Sequence, residues 1–427
     1  MNKHDDNLKV VRKSTENPND QLDFIIENYL ASNPFRGSTD GKTNEVEIRF
    51  GSDPKKGKIS QIDYENVVKK LYQCGFKTTN PDGIHTLRVF HEYIDKTSGN
   101  AIMSNIRAEI IGIDLIQEYC RTNSIQTILD MPSSNNDKVI FTQKTRPKTT
   151  DGVNIDAADF NDFNIRVAYQ LEQIYTARSP IIRGIIQKWT DSKKTFRYIN
   201  RVRFYHDTMP FFADISVIRK SKTTNKGVPM KFYTIQDAGV LTNAETYEIE
   251  MELDNSMVGI GTEYNNKKTM AETIKKAIRI VLGGLQGTNY PISYNIKAAI
   301  QTEYMKLIHG DKYQPGWVMP NNFVGPSSQT LQMRNIMKPG ENSTIPTILK
   351  NYTVTDKADG DRKLLYIDTK GSIYLIDTNM NVVFTGAKTS NDDLFESLLD
   401  GEHIKNSKTG SALNLYAAFD IYFIKKK

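Results

Sequence analysis

Acidic and apolar residues alternate with a period of two in two short segments of the chain. The first segment reads EVEIRF at 45–50, and the second reads EIEMEL at 248–253. Successive side chains of a strand point to opposite faces, so each segment places two or three carboxylates in one row. For either segment alone, an edge strand with a solvated outer face explains the pattern equally well. Together with basic strands between them, the two rows favour a closed β-structure.

The region from about 44 to 253 is predicted to consist mostly of strands. Asn, Asp, Gly and Pro turns divide it into strands at 44–50, 87–94, 101–111, 138–146, 163–173, 195–205, 211–220, 230–235 and 245–253. Many successive strands of this kind favour a barrel or a sandwich. Apolar stripes with helical spacing predict helices at about 22–30 and 60–75.

Two amphipathic helices are predicted after the second acidic segment, at about 269–283 and 293–308. The stretch 310–345 is rich in Pro, Gly, Asn and Ser, as is typical of a connection between domains. We therefore predict a disordered tail at 1–20, a first domain at 21–312, a linker at 313–345 and a second domain at 346–427.

Composition narrows the possible classes of protein. The chain has 427 residues, 38% of them hydrophobic, and a formal net charge of +6, which permits an anionic partner without requiring one. Two cysteines argue against a disulfide framework and for a reducing compartment. A cysteine phosphatase loop needs Arg six positions after its thiol, but Cys74 is followed there by Asn80 and Cys120 by Gln126. We expect an intracellular protein with no membrane partner, because no apolar run is long enough to cross a bilayer.

Basic residues recur at spacing two in the strands between the acidic segments. A solvated outer face is the simpler explanation for any one of them, but as a set they favour a lumen that binds phosphate. Charges of both signs buried together require a metal and a polyanion to complete their pairing. The candidates for phosphate contacts are Arg49, Arg107, Lys144, Arg146, Arg166, Arg197, Arg201 and Arg203.

This order of acidic and basic strands resembles the triphosphate tunnel metalloenzymes, in particular the RNA triphosphatase domain of large-DNA-virus capping enzymes. The resemblance implies an eight-stranded antiparallel tunnel with flanking helices, in the α+β class, and a 5′-triphosphate RNA substrate. It implies Mg²⁺ or Mn²⁺ as cofactor, and a location in the host cytoplasm or the virion. The implied catalytic residues are Glu45, Glu47, Glu248, Glu250 and Glu252, with the metal on Glu45, Glu47, Glu250 and Glu252. Glu172 or Asp214 would orient the attacking water, and Glu109 would serve equally well as a strut in an internal salt bridge.

A second motif, KADGDR at 357–362, follows an apolar segment and contains Lys-x-Asp-Gly-x-Arg. With DGE at 400–402 and AAFD at 417–420, it resembles the covalent nucleotidyltransferases, which include mRNA guanylyltransferases. The resemblance implies that Lys357 attacks the α-phosphate of GTP. The implied nucleotide contacts are Asp359, Arg362, Glu402 and Phe419, with Asp420 supporting a metal. The alternative is a surface lysine in a turn.

The sequence therefore predicts a metal-dependent RNA triphosphatase joined to a partial mRNA guanylyltransferase. The chain stops before the later strands and the Lys-x-Lys motif of that family, so we expect the guanylyltransferase part to be incomplete and Lys357 not to form a stable GMP adduct. Two alternatives stay open. One is a tunnel enzyme acting on small or inorganic triphosphates, or a cyclase. The other is a module that binds RNA 5′-triphosphate without hydrolysing it.

Overall fold

The structure is a computed structural model, and it describes residues 17–36, 41–95, 97–131, 138–225, 227–326, 330–338, 340, 344–354 and 359–427. The chain divides into two compact units, Met1–Leu285 and Gln286–Lys427. This division lies earlier than the predicted boundary at 312, because the helix that follows it packs on the second sheet. No helix in the described part of the chain is long and apolar enough to cross a membrane.

The first unit is built around a closed antiparallel barrel. Its strands are β1 (Lys42–Phe50), β2 (Ile84–Ile94), β3 (Ala101–Ile111), β4 (Lys138–Thr145), β5 (Ala158–Phe160), β6 (Ile165–Tyr175), β7 (Lys194–Tyr205), β8 (Phe211–Lys220) and β9 (Thr246–Leu253). The order around the ring is β1-β9-β8-β7-β2-β3-β4-β6, and β6 closes it by pairing with β1. The short strand β5 pairs with β6 beyond the end of β4. The predicted eight-stranded antiparallel barrel is therefore confirmed.

Helices cover the outer surface of the barrel. They are α1 (Pro18–Ala31), α2 (Gln61–Gln73), α3 (Ile113–Thr122), α4 (Ile125–Leu129), α5 (Pro180–Gln187), α6 (Ile235–Ala238) and α7 (Lys267–Gln286). Short 3-10 helices cover Pro34–Arg36, Pro54–Lys56 and Asn255–Met257. Helices α1, α2 and α7 share one core with the outer faces of β1, β6, β8 and β9. Helices α3 to α6 share a second core with β2, β3, β4 and β7. The apolar residues of the strands thus face outward, which leaves the lumen to polar side chains.

Three predictions about local structure in this unit were wrong, namely the start of α1, the end of α7 and a strand at 230–235. Helix α1 begins at Pro18, inside the predicted tail, because Asn17 caps it and Pro18 fits the first helical position. Helix α7 continues through Gly283 and Gly284, since Gly284 lies so close to Val67 of α2 that a Cβ would meet its Cα at 2.8 Å.

The segment 230–235 is not a barrel strand. It makes one isolated bridge to β7, through Phe232, and then enters α6. The structure also contains β5, a three-residue strand between β4 and β6 that the sequence pattern did not predict.

The second unit contains a five-stranded antiparallel sheet in the order β12-β11-β10-β13-β14. These strands are β10 (Asp361–Ile367), β11 (Ser372–Asp377), β12 (Val382–Lys388), β13 (Ser397–Asn406) and β14 (Ala412–Phe423). Helices α8 (Tyr294–His309) and α9 (Met333–Ile336) precede the sheet, with short 3-10 helices at Gly310–Lys312 and Pro320–Asn322 and another at Asp392–Leu394.

Helix α8 belongs to the second unit because its apolar side packs on the sheet. Ile300 and Tyr304 share a buried core with Leu364 of β10, and Phe323 packs against the same core. Part of the predicted linker at 313–345 is therefore packed rather than an extended connection. Strands β10 and β11 pair antiparallel on either side of the Lys370-Gly371 turn.

Candidate functional site

The two acidic segments lie on adjacent strands of the barrel. Glu47 of β1 is opposite Glu252 of β9, and Arg49 is opposite Glu250. Glu45, Glu47 and Glu250 are buried although their strands carry apolar residues on the outer face. These carboxylates therefore face the lumen, as the alternation of the sequence predicts. The alternative explanation of the sequence pattern, edge strands with a solvated outer face, is therefore excluded for these three glutamates.

Glu47 and Glu250 form the most strongly perturbed pair in the lumen. Burial, together with the neighbouring charge of Glu250, raises the pKa of Glu47 to about 7. Burial also acts to raise the pKa of Glu250, but the hydrogen bond from Glu47 and the charges of Arg201 and Arg49 outweigh it and lower this pKa to about 2. Glu47 is therefore partly protonated at neutral pH while Glu250 is ionised, and a cation bound between the two carboxyl groups would displace the proton of Glu47.

Arginines from β1 and β7 surround this pair of glutamates. Arg49 Nε lies 2.7 Å from Glu47 Oε1 and 3.1 Å from Glu250 Oε1. Arg201 Nη2 lies 2.8 Å from Glu250 Oε2, and its Nη1 lies 2.9 Å from Asp214 Oδ2. The pKa values of both arginines are raised, because their acidic neighbours outweigh the desolvation that opposes protonation.

Asp214 acts as a strut rather than as a base in this arrangement. It is 2% exposed and accepts hydrogen bonds from Arg201 and from both Nε and Nη2 of Arg203, each at 2.7 to 2.9 Å. Glu172, the other candidate for orienting water, accepts one long bond of 3.3 Å from Arg107. Burial raises the pKa of Glu172 despite nearby Lys144 and Arg107. Of the two, Glu172 is the carboxyl with free capacity to accept a proton.

The remaining predicted glutamates each have a separate basic partner. Lys144 Nζ lies 2.5 Å from a Glu45 carboxylate oxygen, and Arg203 Nη2 lies 2.6 Å from Glu252 Oε2. Glu248 pairs with Arg197 and, at 3.3 Å, with Lys220. The side chains of Glu248 and Glu252 are about a quarter exposed, at 26% and 27%. The five glutamates therefore do not converge on one point.

Within the described residues, no group of three or more His, Cys, Asp or Glu side chains is arranged to hold a metal ion. The pair Glu47–Glu250 nevertheless fits a hard divalent ion. Mg²⁺ is usually held by one or two carboxylates together with waters and substrate phosphates, rather than by a cage made only of protein. The two carboxylates therefore fit such a site, and Glu45 is a further buried acid along β1, so the predicted set of four stays a prediction.

Arg88 is a lumen residue that the sequence pattern did not single out. It lies opposite Glu109 and Arg197 on the neighbouring strands, and its Nε is 3.2 Å from Glu109 Oε1 without making a hydrogen bond. Arg107 Nε donates a hydrogen bond to the same Glu109 oxygen at 2.5 Å. Burial lowers the pKa of Arg88 despite the adjacent carboxylate. The available signal was the alternation of β2, which places Arg88 on the face opposite Leu87 and Val89.

Arg146 and Arg166 lie apart from the carboxylates, at one end of the lumen. Their side chains are 59% and 45% exposed and pair with the exposed Asp156 and Asp159. The other predicted phosphate contacts, Arg49, Arg107, Lys144, Arg197, Arg201 and Arg203, form ion pairs with glutamates or with Asp214 of the lumen. A cavity of about 330 Å³ at this end of the lumen is lined by members of both sets, Arg49 and Lys144 from one and Arg146 and Arg166 from the other.

In the second unit, Lys357 lies outside the described residues. Asp359 is exposed, Phe419 is 63% exposed, and one carboxylate oxygen of Glu402 is buried without a hydrogen-bond partner. Arg362, a predicted nucleotide contact, binds Asp400 through Nε at 3.1 Å and Nη2 at 2.5 Å, and donates to the carbonyl of Pro326. Of the predicted nucleotide contacts, Arg362 and Glu402 are cross-strand neighbours on β10 and β13.

Comparisons with known proteins support the resemblance drawn from the two motif sets. Residues 321–427 match the family model "mRNA capping enzyme, catalytic domain". The chain is 28% identical over 209 residues, or 48% of its length, to a probable mRNA-capping enzyme of Acanthamoeba polyphaga mimivirus. The matched region spans 15% of that relative's length. The resemblance to viral mRNA capping enzymes is thereby confirmed.

Two solved structures are also similar to this chain. The triphosphatase of the mimivirus capping enzyme is 14% identical, with a TM-score of 0.36 over 62% of this chain and 98% of that one. The S. pombe Pct1 RNA triphosphatase is 12% identical, with a TM-score of 0.32 over 61% of this chain and 91% of that one.

Proposed function

We propose that this capping-enzyme relative removes the γ-phosphate from the 5′-triphosphate end of RNA, with Mg²⁺ or Mn²⁺ as cofactor. The observation that carries the proposal is the closed barrel in which Glu45, Glu47 and Glu250 are buried opposite basic side chains from neighbouring strands. The sequence match to a probable mRNA-capping enzyme supports RNA as the substrate.

The lumen provides the two requirements of phosphoryl transfer, which are positioning and charge neutralisation. A divalent ion held by Glu47 and Glu250 would supply a Lewis acid for the γ-phosphate oxygens. Arg49 and Arg201 already contact these carboxylates and are within reach of a phosphate bound beside them. Asp214 keeps Arg201 and Arg203 oriented, so their N–H groups stay aimed at the same region. Glu172 is the carboxyl best suited to accept a proton from the attacking water.

The assay for this proposal is phosphate release from RNA labelled at its γ-phosphate. We expect release that depends on Mg²⁺ or Mn²⁺ and stops when the ion is chelated. Binding of the RNA without any release would indicate a non-catalytic module. Faster release from inorganic triphosphate than from RNA would indicate a small-molecule enzyme. Either outcome would contradict the proposal.

The second unit supports a further part of the proposal, which is guanylyltransferase chemistry at Lys357 with GTP as substrate. The match to the capping-enzyme catalytic domain begins at residue 321 and includes this motif. A lysine nucleophile must lose its proton, which desolvation or nearby positive charge favours. Attack of the Lys357 amine on the α-phosphate of GTP would release pyrophosphate and form lysyl-GMP, and transfer of the GMP to the diphosphate end of RNA would then free the lysine.

We expect this chain alone to accumulate little GMP adduct. Arg362 donates to Asp400 and to the Pro326 carbonyl, and Phe419 is 63% exposed, so neither of these two side chains is engaged in a nucleotide pocket. Labelled GTP followed by denaturing electrophoresis measures the adduct, and Lys357→Met provides the background. An adduct band well above that background would contradict the expectation, because it would show that this chain alone forms the nucleotide pocket.

A further inference from the structure

Two exposed arginines lie where the lumen opens to solvent. The cavity there has a volume of about 330 Å³ and is lined by residues of the carboxylate region, Glu47 and Arg49, and by Arg146 and Arg166. In register, Arg166 is opposite Arg49, two residues beyond Ala168, which is opposite Glu47. Two residues of a strand span about 7 Å, so Arg166 lies one side chain further out than Glu47 on the same face.

The acidic partners of both arginines are weakly held. Arg146 Nη1 lies 2.8 Å from Asp156 Oδ1, and Arg166 Nη1 lies 3.3 Å from the Asp159 carboxylate. All four side chains are at least 45% exposed, whereas the lumen arginines pair with buried carboxylates such as Glu250 and Asp214. Exposed ion pairs of this kind are screened by solvent and contribute little, so an incoming phosphate can replace the carboxylates.

The fold does not depend on these ion pairs. The segment that carries Arg146 and Asp156 is held by backbone hydrogen bonds, including Ile155 N to the Pro147 carbonyl at 3.0 Å. The side chain of Ile155 is 2% exposed and belongs to the main core of the barrel unit. Gln21 of α1 donates to the backbone carbonyl of Asp156 at 2.7 Å. The two arginines can therefore exchange partners while the backbone around them stays in place.

Resting on the proposed function, we infer that Arg146 and Arg166 bind backbone phosphates of the RNA that follow its 5′-triphosphate. They therefore determine selectivity for a polynucleotide over a free nucleotide. A triphosphate held at Glu47 and Glu250 extends outward past Arg49, and the next phosphates of an RNA reach the opening, where a mononucleotide has none. Asp156 and Asp159 compete with the RNA for the same two guanidinium groups.

The test compares a triphosphate-ended RNA of roughly 20 nucleotides with ATP. In the double variant Arg146→Ala with Arg166→Ala, the ratio of KM for RNA to KM for ATP should rise about tenfold, because only RNA loses two charge-assisted hydrogen bonds. The matched control is Arg183→Ala, an exposed arginine on α5, which should leave the ratio unchanged. A parallel rise of both KM values would show that the arginines contact the triphosphate itself, and would overturn the inference, as would an unchanged ratio.

Binding measurements separate this inference from the proposed function. By fluorescence anisotropy, the slope of log K against log salt for RNA should fall by about 1.4 in the double variant, at about 0.7 for each phosphate that the protein no longer neutralises. The variant Asp156→Asn with Asp159→Asn should bind RNA more tightly than the unaltered chain, because the competing carboxylates are gone. Weaker binding there, or an unchanged slope in the arginine variant, would refute the inference. Absence of phosphate release by the unaltered chain would instead refute the hydrolase proposal.

Discussion

Glu250→Gln should reduce the rate of γ-phosphate release from triphosphate-ended RNA by about 100-fold or more. Loss of one charged ligand weakens the metal site, and a metal contributes several kcal/mol to transition-state stabilisation, of which each 1.36 kcal/mol is about tenfold in rate. Glutamine preserves the size of the side chain and an acceptor for Arg201, which now contacts Glu250 Oε2 at 2.8 Å. The barrel should therefore fold normally.

The dependence on metal concentration distinguishes a ligand from a merely structural residue. Glu250→Gln should require more Mn²⁺ for half-maximal activity, and Glu47→Gln should behave in the same direction. The matched control is Glu245→Gln, since Glu245 lies just before β9 and pairs with Arg219 at the surface with 41% of its side chain exposed. Full activity in both Glu47→Gln and Glu250→Gln would contradict the assignment of these carboxylates.

Asp400→Ala should destabilise the sheet of the second unit by about 3 kcal/mol. Asp400 is completely buried, receives two hydrogen bonds from Arg362 and accepts a third from the Tyr422 hydroxyl at 2.6 Å. Its removal leaves the guanidinium of Arg362, which is 26% exposed, without its carboxylate. Breaking a buried pair on one side costs more than the pair contributes, because the remaining charge loses its compensation.

Amide hydrogen exchange measures this effect in the full chain. Protection of β10 and β13 should fall, while protection of the barrel strands should stay the same. Asp361→Ala is the control, since Asp361 forms an exposed pair with Lys405 and its loss should cost less than about 1 kcal/mol. The loss of amide protection in Asp400→Asn should lie between the losses in Asp361→Ala and Asp400→Ala. Unchanged protection in Asp400→Ala would contradict a structural role for the Arg362–Asp400 pair.

The period-two alternation of acids and apolar residues favoured a closed β-structure with inward glutamates, whereas the eight-stranded tunnel was implied by the family resemblance. Alternation is a local property, and it assigns a face to Glu45, Glu47 and Glu250 once the opposite face is seen to be apolar. The same rule was available for Arg88, but a single arginine between Thr86 and Phe90 on the same face of β2 did not form a row. The neighbours that make it informative, Glu109 and Arg197, come from other strands.

Pairing between strands could not be predicted from the sequence, because it depends on register over long separations. The register places Arg203 beside Glu252 and Arg197 beside Glu248, which disperses a set of glutamates that looks uniform along β9. It also leaves Arg146 and Arg166 at the end of the lumen. In the second unit, the motif indicated a family resemblance but not the contact of Arg362 with Asp400, which lies 38 residues away.

We propose that Glu47 and Glu250 hold one divalent ion inside the barrel. Anomalous diffraction from crystals of this chain grown with Mn²⁺ locates the ion directly. We expect a peak within coordination distance of carboxylate oxygens from both Glu47 and Glu250, and its loss in Glu250→Gln. A peak bound only elsewhere, away from both carboxylates, would contradict the proposal.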